Sequence, residues 1–169
     1  MFHCPYCHGY ELEQGRIGVI ATGPMSVHQA PLLPEWGAVT FLTNAAMMPD
    51  DAQRADLARR GVTVEETPVA RISGNAMVEL RDGRSLSFAG LFIATRTTPA
   101  SALAETAGCA LMDTPMGSQI RKGATKETTV PGIFTCGDVA RAPHSVSLAV
   151  GDGAWVGAQL HRSLVWPES

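Results

Sequence analysis

One alternation constrains this chain more than any other feature. Arg16–Ala21, RIGVIA, is a short β-branched apolar run of the kind that forms a buried strand. Gly23 and Pro24 then turn the chain into SVHQAPLL, a helix that Pro31 and Pro34 hold to about two or three turns. Ala38–Thr43 reads as a second strand. Pro49–Gly61 reads as a helix, opened by a proline and two aspartates, closed by arginines and ended by Gly61. Val62–Glu66 is a third strand. Strand, helix, strand, helix, strand in this order predicts a parallel sheet with covered faces.

The pattern then changes. PVARISG, AMVELRDGRSLSFAG and LFIAT are successive strands, and Asp82-Gly83 is a hairpin signal. An antiparallel meander therefore follows the parallel unit and returns to a strand at Leu91–Ala94. Ser101–Ala107 reads as a short helix, capped by Ser101 and closed by Gly108. Gly132–Thr135 reads as a strand leading into a glycine-acid loop. A long helix follows over Ser145–Leu164, and its Ala149, Gly151, Gly153, Ala154, Gly157 and Ala158 suit close approach to a backbone or a cofactor. The expected fold class is α/β, a Rossmann-like three-layer domain with an antiparallel meander.

Composition removes several function classes. The 169 residues carry a net charge of −3, and no basic excess argues for nucleic acid or an anionic membrane. No run approaches the ~18–20 apolar residues of a spanning helix. No basic start precedes an apolar core at the N-terminus, so no signal peptide is expected and a cytoplasmic address is the default. Four cysteines are too few for a disulfide scaffold. Cys109 and Cys136 read as small buried apolar residues.

Three motifs carry chemistry. Cys4 and Cys7, in CPYC, are two residues apart at an expected helix start, with His3 and His8 flanking them. Such a start favours thiolate, and the spacing closes a small disulfide ring. A zinc site on these four residues and a pair of packed cysteines are the alternatives. The second motif is VIATGPMS. A dinucleotide loop has G-x-G-x-x-G or A between strand and helix. Here Ala21, Gly23 and Ser26 hold those positions. Asn44, Ala45 and Ala46, after the next strand, supply neither the arginine an NADP site needs nor the acid an NAD site needs. The third is GIFTCGDVA. Asp138, after Gly137 at an expected strand end, suits a ribityl hydroxyl, and the helix beyond suits a pyrophosphate. An ordinary Asp turn is the alternative.

CPYCHGYE, IGVIATG, LFIAT before TTPAS, GIFTCGDV and SVSLAVGDGAWVGAQL, in this order, resemble the thioredoxin-reductase-like flavoproteins of the pyridine nucleotide-disulfide oxidoreductase class. His8 after the second cysteine is similar to the branch containing dithiol oxidases. The resemblance implies the C-terminal half of such a protein. It implies a redox helix at 1–11, an NAD(P)-type domain at 12–98 and the last segment of an FAD-type domain at 99–169. It implies FAD in the complete protein, contacted by Gly137, Asp138 and Val146. Cys7 would form the flavin-thiol contact, Cys4 would attack or release the partner thiol, and His8 would be the acid/base. Gly23 and Ser26 would belong to a degenerate nicotinamide loop, with NADPH bound weakly or not at all. The implied substrate is a small-molecule or protein dithiol or disulfide, and oxygen or another oxidant becomes the electron acceptor. A homodimer is expected through Trp155, Val156, Leu160 and Leu164 of the long helix. A non-catalytic nucleotide-fold remnant acting as a binding module is the alternative.

Overall fold

The computed structural model describes residues 1–167. The first of two units runs Met1–Thr95, and the second begins at Arg96. In the first, strands β1 (Gln14–Ile20), β2 (Gly37–Leu42), β3 (Thr63–Glu65) and β7 (Gly90–Ile93) form one sheet in the order β3-β2-β1-β7. All three pairings are parallel.

Alternation along β1 sorts its side chains between two cores. Ile17, Val19 and Ala21 join Val39, Phe41, Phe92 and the helix residues Val27, Ala30, Leu33 and Leu57 on one face. Ile20 joins Leu42, Leu91, Val78, Leu80 and Phe88 on the other. Gly18 interrupts the β-branched run for a steric reason, since a Cβ there would stand 2.6 Å from Leu91 Cδ2. The helical layer holds α2 (Ser26–Gln29) and α3 (Asp51–Arg59). Asp50 and Gln53 close a capping box on α3. α2 is a single turn continued by a 3-10 turn over Ala30–Leu32, shorter than expected because Pro31 follows at once. The opposite layer is an antiparallel sheet of β4 (Val69–Ser73), β5 (Met77–Leu80) and β6 (Ser85–Ser87). Its β5–β6 turn holds Gly83 at φ +87°.

The second unit begins with α4 (Leu103–Thr106), the hairpin of β8 (Leu111–Thr114) and β9 (Gly117–Ile120), and ends with α5 (Val146–Val165). The expected strand at Gly132–Thr135 is absent. Pro131 has no N–H, Gly132 turns at φ +79°, and only Glu127 and Phe134 form an isolated bridge. Cys109 is buried, with its thiol 3.4 Å from Thr128 Oγ1. Cys136 is half-buried rather than buried, because it is the extended residue that enters the Gly137 turn. Among the described residues no helix is long and apolar enough to cross a membrane.

Only Asp152 of α5 is buried. Val146, Val150, Trp155, Leu160 and Leu164 are exposed, while Val156 is half-buried. The four residues expected to share one patch therefore do not. Trp155 and Leu164 are nine positions apart, about two and a half turns, which puts them on opposite sides. Val146, Val150, Gly157 and Leu164 line one side instead.

Arg84 fastens the β5–β6 hairpin to the end of β3. It donates to Glu65 Oε2 at 2.8 Å, to Thr67 Oγ1 at 3.0 Å and to Asp82 Oδ2 at 2.7 Å. The Arg84 guanidinium holds the Glu65 carboxyl down at about 2, with the Thr67 amide adding to it. A folded-state pKa below the unfolded one gives stability that is full above about pH 4.5 and lost as pH falls towards 2. Glu65→Gln is expected to cost about 1 kcal/mol at pH 7 in urea unfolding. Its difference from wild type should shrink as pH falls through that window; a difference independent of pH would reject the assignment.

Candidate functional site

Cys4 is the N-cap of α1 (Pro5–His8), a helix of one turn, and Cys7 is its third residue. The turn brings the two sulfurs to 3.1 Å as free thiols, with Cys7 donating to Cys4. Cys7 is exposed and Cys4 half-buried. At Cys7 the neighbouring Cys4 sulfur opposes ionisation. Its bond to Cys4 pushes its pKa up, with burial and the Cys4 charge adding to the rise, and a one-turn helix has little dipole to oppose this. His8 stacks on Phe2 with ring centroids 4.6 Å apart. Its Nδ1 lies 3.4 Å from Glu11 Oε2. Among the described residues no group of three or more His, Cys, Asp or Glu could hold a metal ion.

This segment is fixed to the sheet by its flanks. Phe2 pairs with β7, donating to Leu91 O at 2.8 Å and accepting from Ile93 N at 3.0 Å. Gln29 Nε2 donates to His3 O at 2.9 Å. Gly9 is required where the chain passes Trp36, since a Cβ would stand 2.6 Å from the indole. Tyr6, between the cysteines, meets the same ring edge-on. The sequence offered no signal for the Phe2 and Trp36 contacts, which depend on tertiary packing alone.

The loop after β1 spends its polar groups on itself. Ser26 is fully buried, and its Oγ accepts the Thr22 amide at 3.0 Å. The Ser26 amide donates to Gly23 O at 3.0 Å, and Thr22 Oγ1 to Ala94 O at 2.5 Å. After β2, Asn44 and Ala45 sit at φ +51° and +53°. Asn44 Oδ1 accepts the Val69 amide at 3.0 Å. The arginines at the end of β3 face carboxylates, Arg54 on Glu66 at 2.7 Å and Arg84 on Glu65. Gly23 and Ser26 are thus brought together in one loop. The Thr22 and Ser26 amides are engaged within the loop, and the segment 43–50 after β2 carries no cationic residue.

The other candidate residues belong to the second unit. Gly137, at φ +70°, opens a 3-10 turn over Gly137–Val139. A Cβ there would stand 3.5 Å from Ala149 Cβ, ordinary contact, so the backbone angle and not the space calls for glycine. Asp138 is exposed, and its Oδ1 accepts the amide of Ser145, the N-cap of α5, at 3.2 Å. Val146, the first residue of α5, is 80% exposed. An open groove of about 210 Å3 is lined by Asp138, Val139, His144, Thr97–Ala100 and Ser118. Small-ligand sites run to ~300–1,000 Å3, so the groove fits one portion of an FAD molecule. Arg141, in the loop between Asp138 and α5, has a buried Nε with no hydrogen-bond partner among the described residues. Thr97 stands in the TTPAS segment, whereas Ser118, His144 and Arg141 had no motif to mark them. Asp152, the lone acid of α5, also had no motif to mark it.

The sequence profile of the family described as pyridine nucleotide-disulphide oxidoreductase matches residues 37–153. An oxidoreductase from Agrobacterium tumefaciens is 55% identical, with a TM-score of 0.91, over 99% of this chain and 57% of that one. The thioredoxin reductase sirT of Leptosphaeria maculans is 26% identical over 94% of this chain and 53% of its own length. A thioredoxin reductase from Streptococcus pyogenes, 23% identical with a TM-score of 0.74 over 96% of this chain and 56% of that one, shares the fold. The chain thus spans little more than half the length of these relatives. With the profile crossing from β2 into α5, the chain belongs to the pyridine nucleotide-disulphide oxidoreductase family.

Proposed function

We propose that this chain contributes the dithiol and part of the flavin site of an FAD-dependent dithiol–disulfide oxidoreductase. The observation that carries this is the Cys4–Cys7 sulfur pair at 3.1 Å on an exposed turn, in a chain of this family. When bound, FAD supplies a two-electron acceptor for the reduced pair. Asp138, Gly137 and Val146 hold it at the start of α5, and Asp138 would accept a bond from a ribityl hydroxyl.

The chain's own residues exchange the thiols. In the oxidised form Cys4 and Cys7 share one S–S bond. A substrate thiolate attacks Cys4 Sγ, a mixed disulfide forms, and Cys7 leaves as the thiolate. The second substrate thiolate attacks the mixed disulfide and releases Cys4. The substrate dithiol becomes a disulfide, and the pair gains two electrons. His8, steadied by Phe2 and Glu11, takes the proton that a substrate thiol gives up on becoming the attacking thiolate. Oxygen or another oxidant, rather than NADP+, is the final acceptor.

A second reading, a non-catalytic binding module, is favoured by the uncovered side of α5, where Val146 and Leu164 are 80% and 74% exposed. It is carried here as self-association into a two-fold dimer.

Three outcomes are expected. Thiol titration before and after dithiothreitol should show one reducible disulfide in the air-oxidised chain and none in Cys4→Ser; an unchanged count in the variant rejects the pair. Calorimetry with NADPH should show weak binding or none, because Thr22, Ser26 and Asn44 have spent their groups internally; a micromolar dissociation constant overturns that. Sedimentation across a concentration series should show dimers that Leu164→Glu weakens at least tenfold. A monomer at every concentration removes the second reading, and a flavin spectrum in the purified protein favours the first.

A further inference from the structure

Asp152 is a buried carboxylate that the dithiol chemistry does not use. It is 7% exposed, on a helix whose other buried positions are none among the described residues. An ionised carboxylate is kept in such a place only when paired and hydrogen-bonded. Both of its oxygens are engaged. Lys126 Nζ, itself only 19% exposed, donates to Oδ1. The Gly137 amide donates to Oδ2 at 3.0 Å. Lys126 is tied to the same turn a second way, since its carbonyl accepts the Thr135 amide at 3.0 Å. Lys126 holds the Asp152 carboxyl below the usual carboxylate range, and the Gly137 amide adds to this. The acceptor therefore stays ionised at neutral pH.

Gly137 is the residue where the backbone must turn at φ +70°. Asp138 follows it and reaches Ser145 at the head of α5. The links run without a break from Lys126 to Asp152, to Gly137, and through Asp138 to Ser145. We infer that Asp152, locked by Lys126, is a positioning residue that fixes the Gly137 amide and so aims the Asp138 carboxylate at a cofactor hydroxyl. The inference rests on the reading of Asp138 as a flavin contact.

The test compares the full chain with Asp152→Asn and Asp152→Ala, by amide hydrogen exchange and by FAD titration followed through flavin fluorescence. Asp152→Asn retains an acceptor oxygen and should leave the Gly137 amide slow. Asp152→Ala should speed its exchange at least tenfold, leave the β8 and β9 amides unchanged, and weaken FAD at least tenfold. Should Asp152→Ala not fold, Lys126→Met replaces it, with a severalfold acceleration at Gly137 expected. An unchanged Gly137 amide in the variant used overturns the inference. So does equal acceleration throughout Leu111–Ile120, which marks general destabilisation. Unchanged FAD affinity with a freed Gly137 amide also overturns it. If Gly137 responds but the wild-type chain takes no FAD, the link from Asp152 to the turn stands and the flavin reading of Asp138 fails.

Discussion

β1 is paired on both edges and buried on both faces, and the first unit depends on that double burial. Its parallel partners β2 and β7 can be reached only by crossover connections, which here run through α2, α3 and the antiparallel layer. The helices cover Ile17, Val19 and Ala21, while the β4–β6 sheet covers Ile20. Because the strands run the same way, their loops gather at one end, where Thr22–Ser26 and Asn44 lie. The far edge of β7 stays available, and Phe2 takes it. The cysteine turn is thereby attached to the most buried part of the unit by a segment with almost no secondary structure of its own.

Much of the first unit was legible because its signals are local. The β-branched run at Arg16–Ala21, the capping sequence at Asp50 and the Asp82-Gly83 turn each state their own conformation. The second unit was read less well. The β8–β9 hairpin went unseen, since Leu111–Ile120 alternates weakly and Thr114–Met116 has no strong turn pair. The strand expected at Gly132–Thr135 does not form because Pro131 lacks an N–H and Gly132 turns the chain, which leaves this run a single bridge, Phe134 to Glu127. In the site, the cysteine spacing told which sulfurs meet. It did not tell that the Cys7 proton would be held by Cys4, because a one-turn helix and a five-turn helix begin with the same letters.

The loop after β1 and the Gly137 turn use their polar groups differently. After β1, Ser26 Oγ accepts the Thr22 amide and Thr22 Oγ1 donates to Ala94 O. At Gly137–Asp138, Asp138 lines a groove.

The outer side of α5 has a calorimetric consequence. Val146, Val150, Leu164 and their neighbours are already hydrated in the folded chain. Unfolding therefore adds little new apolar hydration from this helix, and the heat-capacity increment should fall short of that of a fully cored chain of equal length. The deficit is a latent quantity: any surface that comes to cover α5 will return it as a negative heat-capacity change of association.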